Sequence, residues 1–142
     1  GSRRDTKIQS RYINAWNHRE GRVTELGENP KDRLGALKVP LHLVPKAGIL
    51  LTAKVMALGA EKYGPYNWRE NKVKEQVYID AAERHLILAE CGEDTDDESQ
   101  SLHYAHVAAC MFILIDAKTT GNCVDNRQHA PAVVRLLKEL NQ

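Results

Sequence analysis

The sequence predicts an all-α protein, a compact bundle of four to five helices around a central antiparallel helical hairpin. Four segments carry apolar residues at helical spacing, at about 46–62, 73–91, 100–120 and 131–141. Proline and glycine separate these segments, and no segment has the alternating pattern that is typical of a half-buried strand. We therefore divide the 142 residues into an N-terminal arm, 1–36, whose first two residues resemble a tag-cleavage scar, and a single α-helical domain, 37–142.

The N-terminal arm is polar and basic, with a short helical pattern at 8–16 and turn-forming residues over 21–35, which we interpret as a loop. The following segment, 38–45, is predicted to be non-helical because Pro40 and Pro45 each disfavour helix in the residue before them. Pro45 suits the first turn of the next helix.

The composition is ordinary for a globular domain, with 42% hydrophobic and 27% charged residues. A net charge of +1 provides no general field for nucleic acid or membranes, so we expect no membrane partner and no extended nucleic-acid surface. The longest apolar run, about 107–117, is shorter than the roughly 20 residues that span a bilayer. Without a secretory signal or a Cys-x-x-Cys pair, the three cysteines favour a reduced, cytoplasmic setting.

The helical patterns also predict which faces are buried. The helix at 100–120 is apolar nearly all round between Val107 and Ile115, so we expect it to be central and the most buried. On the helix at 73–91, His85 falls on the inward face. The last helix is predicted to bury Val133, Leu136, Leu137 and Leu140.

The stretch from Tyr78 to Asp116 concentrates the residues that bind metals or transfer protons. Its loop carries five carboxylates in the six positions 93–98. Two antiparallel helices joined by a short loop bring the end of one beside the start of the next. Imidazole and carboxylate groups at such a point suit a divalent ion. The candidate metal ligands are His85, Glu93, Asp96, His103 and His106. The alternatives are a solvated acidic turn and histidines held in a buried hydrogen-bonded network.

The residues 63–69, which follow the first long helix, form a compact aromatic loop with cationic side chains beside it. Its rings and cations suit a nucleobase and its phosphates, although Tyr63 and Trp68 would equally serve to fill the core under the loop. A divalent ion with cations nearby favours metal-assisted attack of water on phosphorus. Cys110 lies in apolar surroundings that make a thiol inert. The candidate substrate-binding residues are Lys62, Tyr63, Asn67, Trp68, Arg69, Arg84 and Arg127.

Several motifs in order resemble the phage dATP/dGTP diphosphohydrolase N-terminal domain family over about 35–130. They are Lys38-x-Pro40-Leu41-x-Leu43-Val44-Pro45, Gly59-Ala60-x-Lys62-Tyr63-Gly64-x-Tyr66-Asn67-Trp68-Arg69, Arg84-His85-Leu86, Gly92-Glu93-Asp94-x-Asp96-x-Glu98-Ser99, His103-x-x-His106 and Ile113-Leu114-Ile115-Asp116-Ala117. The resemblance implies hydrolysis of a purine deoxynucleoside triphosphate to the monophosphate and pyrophosphate, with Mg²⁺ or Mn²⁺, in phage nucleotide metabolism. The setting implied is the cytoplasm of the infected host.

The helical hairpin is also similar to the MazG-type all-α pyrophosphohydrolases, which are oligomeric, so we expect a homo-oligomer. The chain departs from their pattern, because histidines stand where MazG-like enzymes carry Glu-Glu-x-x-Glu and Glu-x-x-Asp. Within the family itself, Gln100 replaces a usual glycine and Asn126 a usual aspartate.

Three hypotheses follow. The first is a pyrophosphohydrolase that acts on purine nucleotides, uses Mg²⁺ or Mn²⁺ with Zn²⁺ as a further candidate, and has His85, Glu93 and His106 as catalytic residues. The second is a protein that binds a nucleotide or nucleotide-derived signal without cleaving it, as a phage sponge that counters the defence of the host. The third is an interaction module whose histidines and carboxylates are structural.

Overall fold

A computed structural model describes residues 29–142, and the chain divides into two units between Val44 and Pro45. The helix predicted at 8–16 and the loop predicted at 21–28 lie outside the described residues. The described elements are α1 (Pro30–Gly35), a 3-10 turn (Leu41–Leu43), α2 (Lys46–Tyr63), α3 (Asn67–Glu70), β1 (Val73–Lys74), α4 (Glu75–Glu90), α5 (His103–Thr119), β2 (Cys123–Val124) and α6 (Pro131–Leu140).

The described part of the first unit contains α1 and the 3-10 turn. The loop predicted through residue 35 is wrong over 30–35, where α1 forms. Asn29 caps this helix, since its side-chain oxygen accepts a hydrogen bond from the Lys31 N–H at 3.0 Å, and Pro30 occupies the first turn. The segment 38–45 is not α-helical, as predicted, and contains only the 3-10 turn.

In the second unit the all-α prediction is confirmed. The four predicted helices form within three residues of their predicted ends. The prolines and glycines decide these ends: α2 begins directly after Pro45 and stops at Gly64, whose φ of 88° suits glycine and not other residues.

Helix α5 is the central helix of the second unit and packs against both α4 and α2. Near its N-terminus Ala105 and Ala109 pack with Val55 of α2, and near its C-terminus Leu114 and Ala117 pack with Val73 of β1. The small residues allow the helix backbones to approach closely. As expected, α5 is central, and with five buried residues it is the most buried of the described helices. Its apolar surface is not covered on every side, because Phe112 and Ile115 are 52% and 65% exposed.

Two short strands correct the expectation that no residue would be in a strand. Strands β1 and β2 pair in parallel, with Val73 opposite Cys123. The Asn122 side chain donates to the carbonyl oxygens of Trp68 at 2.6 Å and Asn71 at 2.8 Å, and so ties the end of α3 to the end of α5. A two-residue strand is too short to show an alternating pattern, which is why the sequence did not indicate it.

The last helix begins at the predicted residue and ends one residue early, but it does not have the predicted burial. Val133, Leu136, Leu137 and Leu140 are all exposed. An amphipathic pattern establishes that a helix has an apolar face, but it does not establish what covers that face. Among the described residues, no helix combines the length and apolar character needed to cross a membrane.

Candidate functional site

Three histidines converge where α4 and α5 meet. Nδ1 of His85 lies 2.9 Å from Nδ1 of His103. The rings of His85 and His106 are stacked, with centroids 4.3 Å apart and planes 8° from parallel. One ligand atom each from His85, Asp96 and His103 lies within 4.8 Å of the other two. The antiparallel hairpin therefore produces the convergence that the sequence predicts.

His103 is fully buried and uses both ring nitrogens. Its Nε2 lies 2.8 Å from Oε1 of Glu93, and its Nδ1 faces His85. Because a carboxylate only accepts hydrogen bonds, Nε2 of His103 carries the proton and donates to Glu93. The carboxylate thereby fixes the tautomer and the orientation of the ring.

His106 contacts a different partner. Its Nε2 lies 2.7 Å from Oγ of Ser99 and 4.0 Å from Oδ2 of Asp96. The Ser99 N–H donates to the same Asp96 oxygen at 2.8 Å. The pair of Ser99 and His106 thus stands beside the group of His85, His103 and Asp96.

The acidic loop is folded back on itself. An antiparallel bridge joins Thr95 to Leu102, and the Asp96 N–H donates to the Ser101 carbonyl at 2.9 Å. Gln100 has a φ of 53°, in the left-handed region that favours glycine. These constraints fix the direction of the Asp96 and Ser99 side chains.

Burial sets the protonation of the cluster. Desolvation is the main cause that lowers the pKa of His85 and of His106 below the usual value of an imidazole. Hydrogen bonds from Ser99 lower the pKa of Asp96. Near pH 7 the two imidazoles are therefore neutral and Asp96 is ionised, as metal binding and proton abstraction both require.

A cavity of about 370 Å³ opens beside the histidines. His85, His106, Asp96 and Ser99 are among the residues that line it. Lys62 lies at the cavity, and its Nζ is 2.6 Å from Oε1 of Glu98. The residues lining the rest of the cavity include Gly59, Tyr63, Asn67, Trp68, Tyr78, Ala109 and Cys110. Burial raises the pKa of the Cys110 thiol, which agrees with the expectation that it is unreactive.

Trp68 lines both this cavity and a neighbouring apolar cavity of about 280 Å³, as do Met56 and Ile113. Its indole N–H donates to Oδ2 of Asp116 at 2.8 Å, and Arg69 binds the same carboxylate in a bidentate manner. Trp68 also packs against the core around Val73, whereas Tyr63 is 70% exposed. Of the two aromatic residues, only Trp68 has the core contacts of the alternative interpretation.

The structure brings seven of the predicted site residues to the larger cavity and leaves five outside its lining. The seven are His85, Asp96, His106, Lys62, Tyr63, Asn67 and Trp68. His103 contacts His85 and Glu93 contacts His103, and neither of the two lines the cavity. Arg69 is held by Asp116, and Arg127 is held by Asp125 and Glu75. Arg84 is exposed, and its charge is close enough to lower the pKa of His85.

Three residues of this region received no role from the sequence. The sequence places Ser99 in a motif without a role of its own, and no spacing rule indicates its contact with His106. Gly59 lines the cavity with no atom within 4 Å of the position of a Cβ. Asp116 positions Trp68 and Arg69, and its i, i+47 and i, i+48 contacts have no local signal.

Comparisons with known proteins agree with these motifs. The family model described as dATP/dGTP diphosphohydrolase, N-terminal, matches residues 28–127. A Salmonella phage PMBT28 protein named dATP/dGTP diphosphohydrolase is 32% identical over 96 residues, which are 68% of this chain and 32% of the relative. The match thus spans about a third of the relative's length. No solved structure matches the chain.

Proposed function

The chain belongs to the dATP/dGTP diphosphohydrolase N-terminal family, and from this premise we propose that it takes part in hydrolysis of purine deoxynucleoside triphosphates to the monophosphate and pyrophosphate. The relative's name supports the substrate class. The observation that carries the proposal is the cavity of about 370 Å³, which is lined by His85 and His106 of the histidine cluster and by Trp68, Asn67 and Tyr63.

A divalent metal ion fits the group of His85, Asp96 and His103. Two imidazole nitrogens 2.9 Å apart and a carboxylate oxygen within 4.8 Å form a suitable donor set. His85, His103 and Asp96 would hold the ion, which would supply Lewis acidity toward a phosphate oxygen. Glu93 and His106 are also candidate ligands from the sequence. In the structure Glu93 contacts His103, and His106 contacts Ser99.

The remaining residues bind the substrate and move a proton. His106 is neutral near pH 7 and faces the Ser99 hydroxyl, so we assign this pair to take the proton from the attacking water. Lys62 would bind a phosphate in place of Glu98. Since both side chains of that ion pair are exposed, exchanging one anion for another costs little.

The experiment separates hydrolysis from binding. The purified chain is incubated with each of the four dNTPs and with Mg²⁺ or Mn²⁺, and the products are separated by chromatography. Conversion of dATP or dGTP to dNMP and pyrophosphate, lost on chelation, is expected. Intact nucleotides with a saturable thermal shift would favour the nucleotide-binding alternative, and no shift with any nucleotide would favour the structural module.

A cavity-filling variant tests whether this cavity is the ligand site. In Gly59→Leu the new side chain enters open space, and helix propensity favours the change by roughly 1 kcal/mol. We expect nucleotide binding to be lost while the melting temperature holds or rises. Gly48→Leu is the matched control, because Gly48 lies in the same helix with open space around it and does not line the cavity. Equal loss of binding in both variants would contradict the assignment.

A further inference from the structure

A chain of three contacts determines which nitrogen atoms face the centre of the histidine cluster. Glu93 accepts from Nε2 of His103 at 2.8 Å, so Nδ1 of His103 carries the lone pair. That lone pair points at Nδ1 of His85, 2.9 Å away. In the metal-free protein the single proton between the two Nδ1 atoms therefore belongs to His85.

If the ring proton of His85 moved from Nδ1 to Nε2, an ion between the two rings would meet two Nδ1 lone pairs while both imidazoles stay neutral. Nitrogen ligands lie about 2.0–2.1 Å from an ion such as Zn²⁺, and two of them around one ion can be as close as the observed 2.9 Å. The third donor, Asp96, is held in place by the Ser99 N–H at 2.8 Å. His106 is directed to Ser99 instead and stays outside this set of donors.

We propose that His85 and His103 bind a first-row transition metal ion through their Nδ1 atoms together with Asp96, and that Glu93 is a positioning residue that acts through His103. This inference deepens the proposed function and rests on it for the role of the ion. Two imidazoles favour ions such as Co²⁺, Ni²⁺ or Zn²⁺, whereas Mg²⁺ takes oxygen ligands and keeps several waters. The site therefore discriminates against Mg²⁺, one of the two ions that the sequence resemblance implies.

The complete burial of His103 explains why Glu93 matters. A ring with 0% exposure and a partner on each nitrogen cannot turn without breaking a contact. Carboxylates that hold a ligating histidine in this way also raise its basicity, and replacing them typically weakens metal binding about 10–100-fold. A glutamine amide at position 93 would accept a weaker hydrogen bond than the carboxylate of Glu93. Its N–H could also donate to Nε2 of His103 and so favour the tautomer with the proton on Nδ1.

The test measures metal binding to the full chain without nucleotide. The chain is stripped with a chelator and titrated with Co²⁺ by calorimetry and visible absorption, then challenged with excess Mg²⁺. We expect one Co²⁺ per chain that Mg²⁺ does not displace. Glu93→Gln should raise the Co²⁺ dissociation constant about 10–100-fold. Asp97→Asn, which removes the same charge from an exposed residue of the same loop, should leave it unchanged.

A second variant guards against loss of fold. His85 is only partly buried, so His85→Gln should keep the helical circular dichroism signal while Co²⁺ binding is abolished. Displacement of Co²⁺ by equimolar Mg²⁺, equal weakening by Asp97→Asn and Glu93→Gln, or full binding by His85→Gln would overturn the inference. Bound Co²⁺ without dNTP hydrolysis would refute the proposed function alone, and hydrolysis that needs only Mg²⁺ would refute this inference alone.

Discussion

Glu75 is the carboxylate whose surroundings give the sharpest stability prediction. Its side chain is 5% exposed in the first turn of α4, and Oε2 lies 3.0 Å from Nζ of Lys118 and 3.2 Å from Nε of Arg127. The two cations come from the end of α5 and from the segment after β2. One buried anion thus joins three parts of the chain.

The perturbation is a double-mutant cycle with Lys118→Met and Arg127→Met, which keep much of the aliphatic length of both side chains. Either single change leaves Glu75 with one cation and with the favourable N-terminus of α4, so each should cost about 1 kcal/mol. The double change leaves a buried anion without a cation, which typically costs about 3–5 kcal/mol. The coupling between the two positions should therefore be about 2 kcal/mol.

The assay is urea unfolding followed by circular dichroism, with thermal melting as a second measure. At roughly 4 °C per kcal/mol for a domain of this size, the single variants should melt about 4 °C lower and the double variant about 15 °C lower. Glu75→Gln in the double background should restore part of the loss, because it removes the unpaired charge. Asp125→Asn separately measures the other ion pair of Arg127.

Additivity of the two changes within about 0.5 kcal/mol would refute this reasoning. The cycle also tests the role that the sequence suggests for Arg127. If Arg127→Met leaves stability unchanged and weakens nucleotide binding, the guanidinium binds phosphate as predicted from the sequence. If it lowers stability and leaves nucleotide affinity unchanged, Arg127 is structural.

Three further predictions concern other parts of the second unit. Arg69 and Trp68 hold the pKa of Asp116 at about 2. The contribution of this carboxylate to stability is therefore fully present above about pH 4 and is lost as the pH falls toward 2. Asp116→Asn should flatten the dependence of the urea-unfolding free energy on pH over that window, and an unchanged pH dependence would contradict the prediction. His106→Ala should abolish dNTP turnover while the helical circular dichroism signal stays intact, whereas loss of that signal would indicate a structural histidine. The homo-oligomer stays a prediction: if a second copy covers the exposed apolar face of α6, Leu137→Glu should lower the mass measured by light scattering, with Lys138→Glu on the same helix as the control.

Local rules determined the helix bounds of the second unit, and these could be predicted. Pro45, Gly64 and Pro131 each fix a helix end through backbone conformation alone, without any information on tertiary contacts. The same rules missed α1, because its cap depends on Asn29 in a stretch of turn-forming residues. Burial was less predictable. The apolar faces of α5 and α6 follow from periodicity, but the exposure of Phe112 and Leu137 depends on packing that periodicity does not encode.

The convergence of the histidines was predictable for a topological reason. A short loop makes the two helices antiparallel, so His85 near the end of α4 must lie close to His103 at the start of α5. The atoms that meet were not predictable. Whether Nδ1 or Nε2 of His103 faces His85 depends on the rotation of the His103 ring. The contact with Glu93 sets that rotation, and Glu93 lies ten residues before His103 in a loop with no repeating pattern.

The acidic loop shows why counting charges gives an incomplete description. The crowded carboxylates suggested either part of a divalent-ion site or a solvated turn. In the structure three of the five have separate partners: Glu93 orients His103, Asp96 accepts from Ser99 beside the cluster, and Glu98 pairs with Lys62 of α2. Their charges are therefore spread over three contacts instead of converging on one ion. A substrate phosphate that displaced Glu98 from Lys62 would break the described ion pair between this loop and α2, and would thereby couple substrate binding to the loop that holds Asp96 in the cluster.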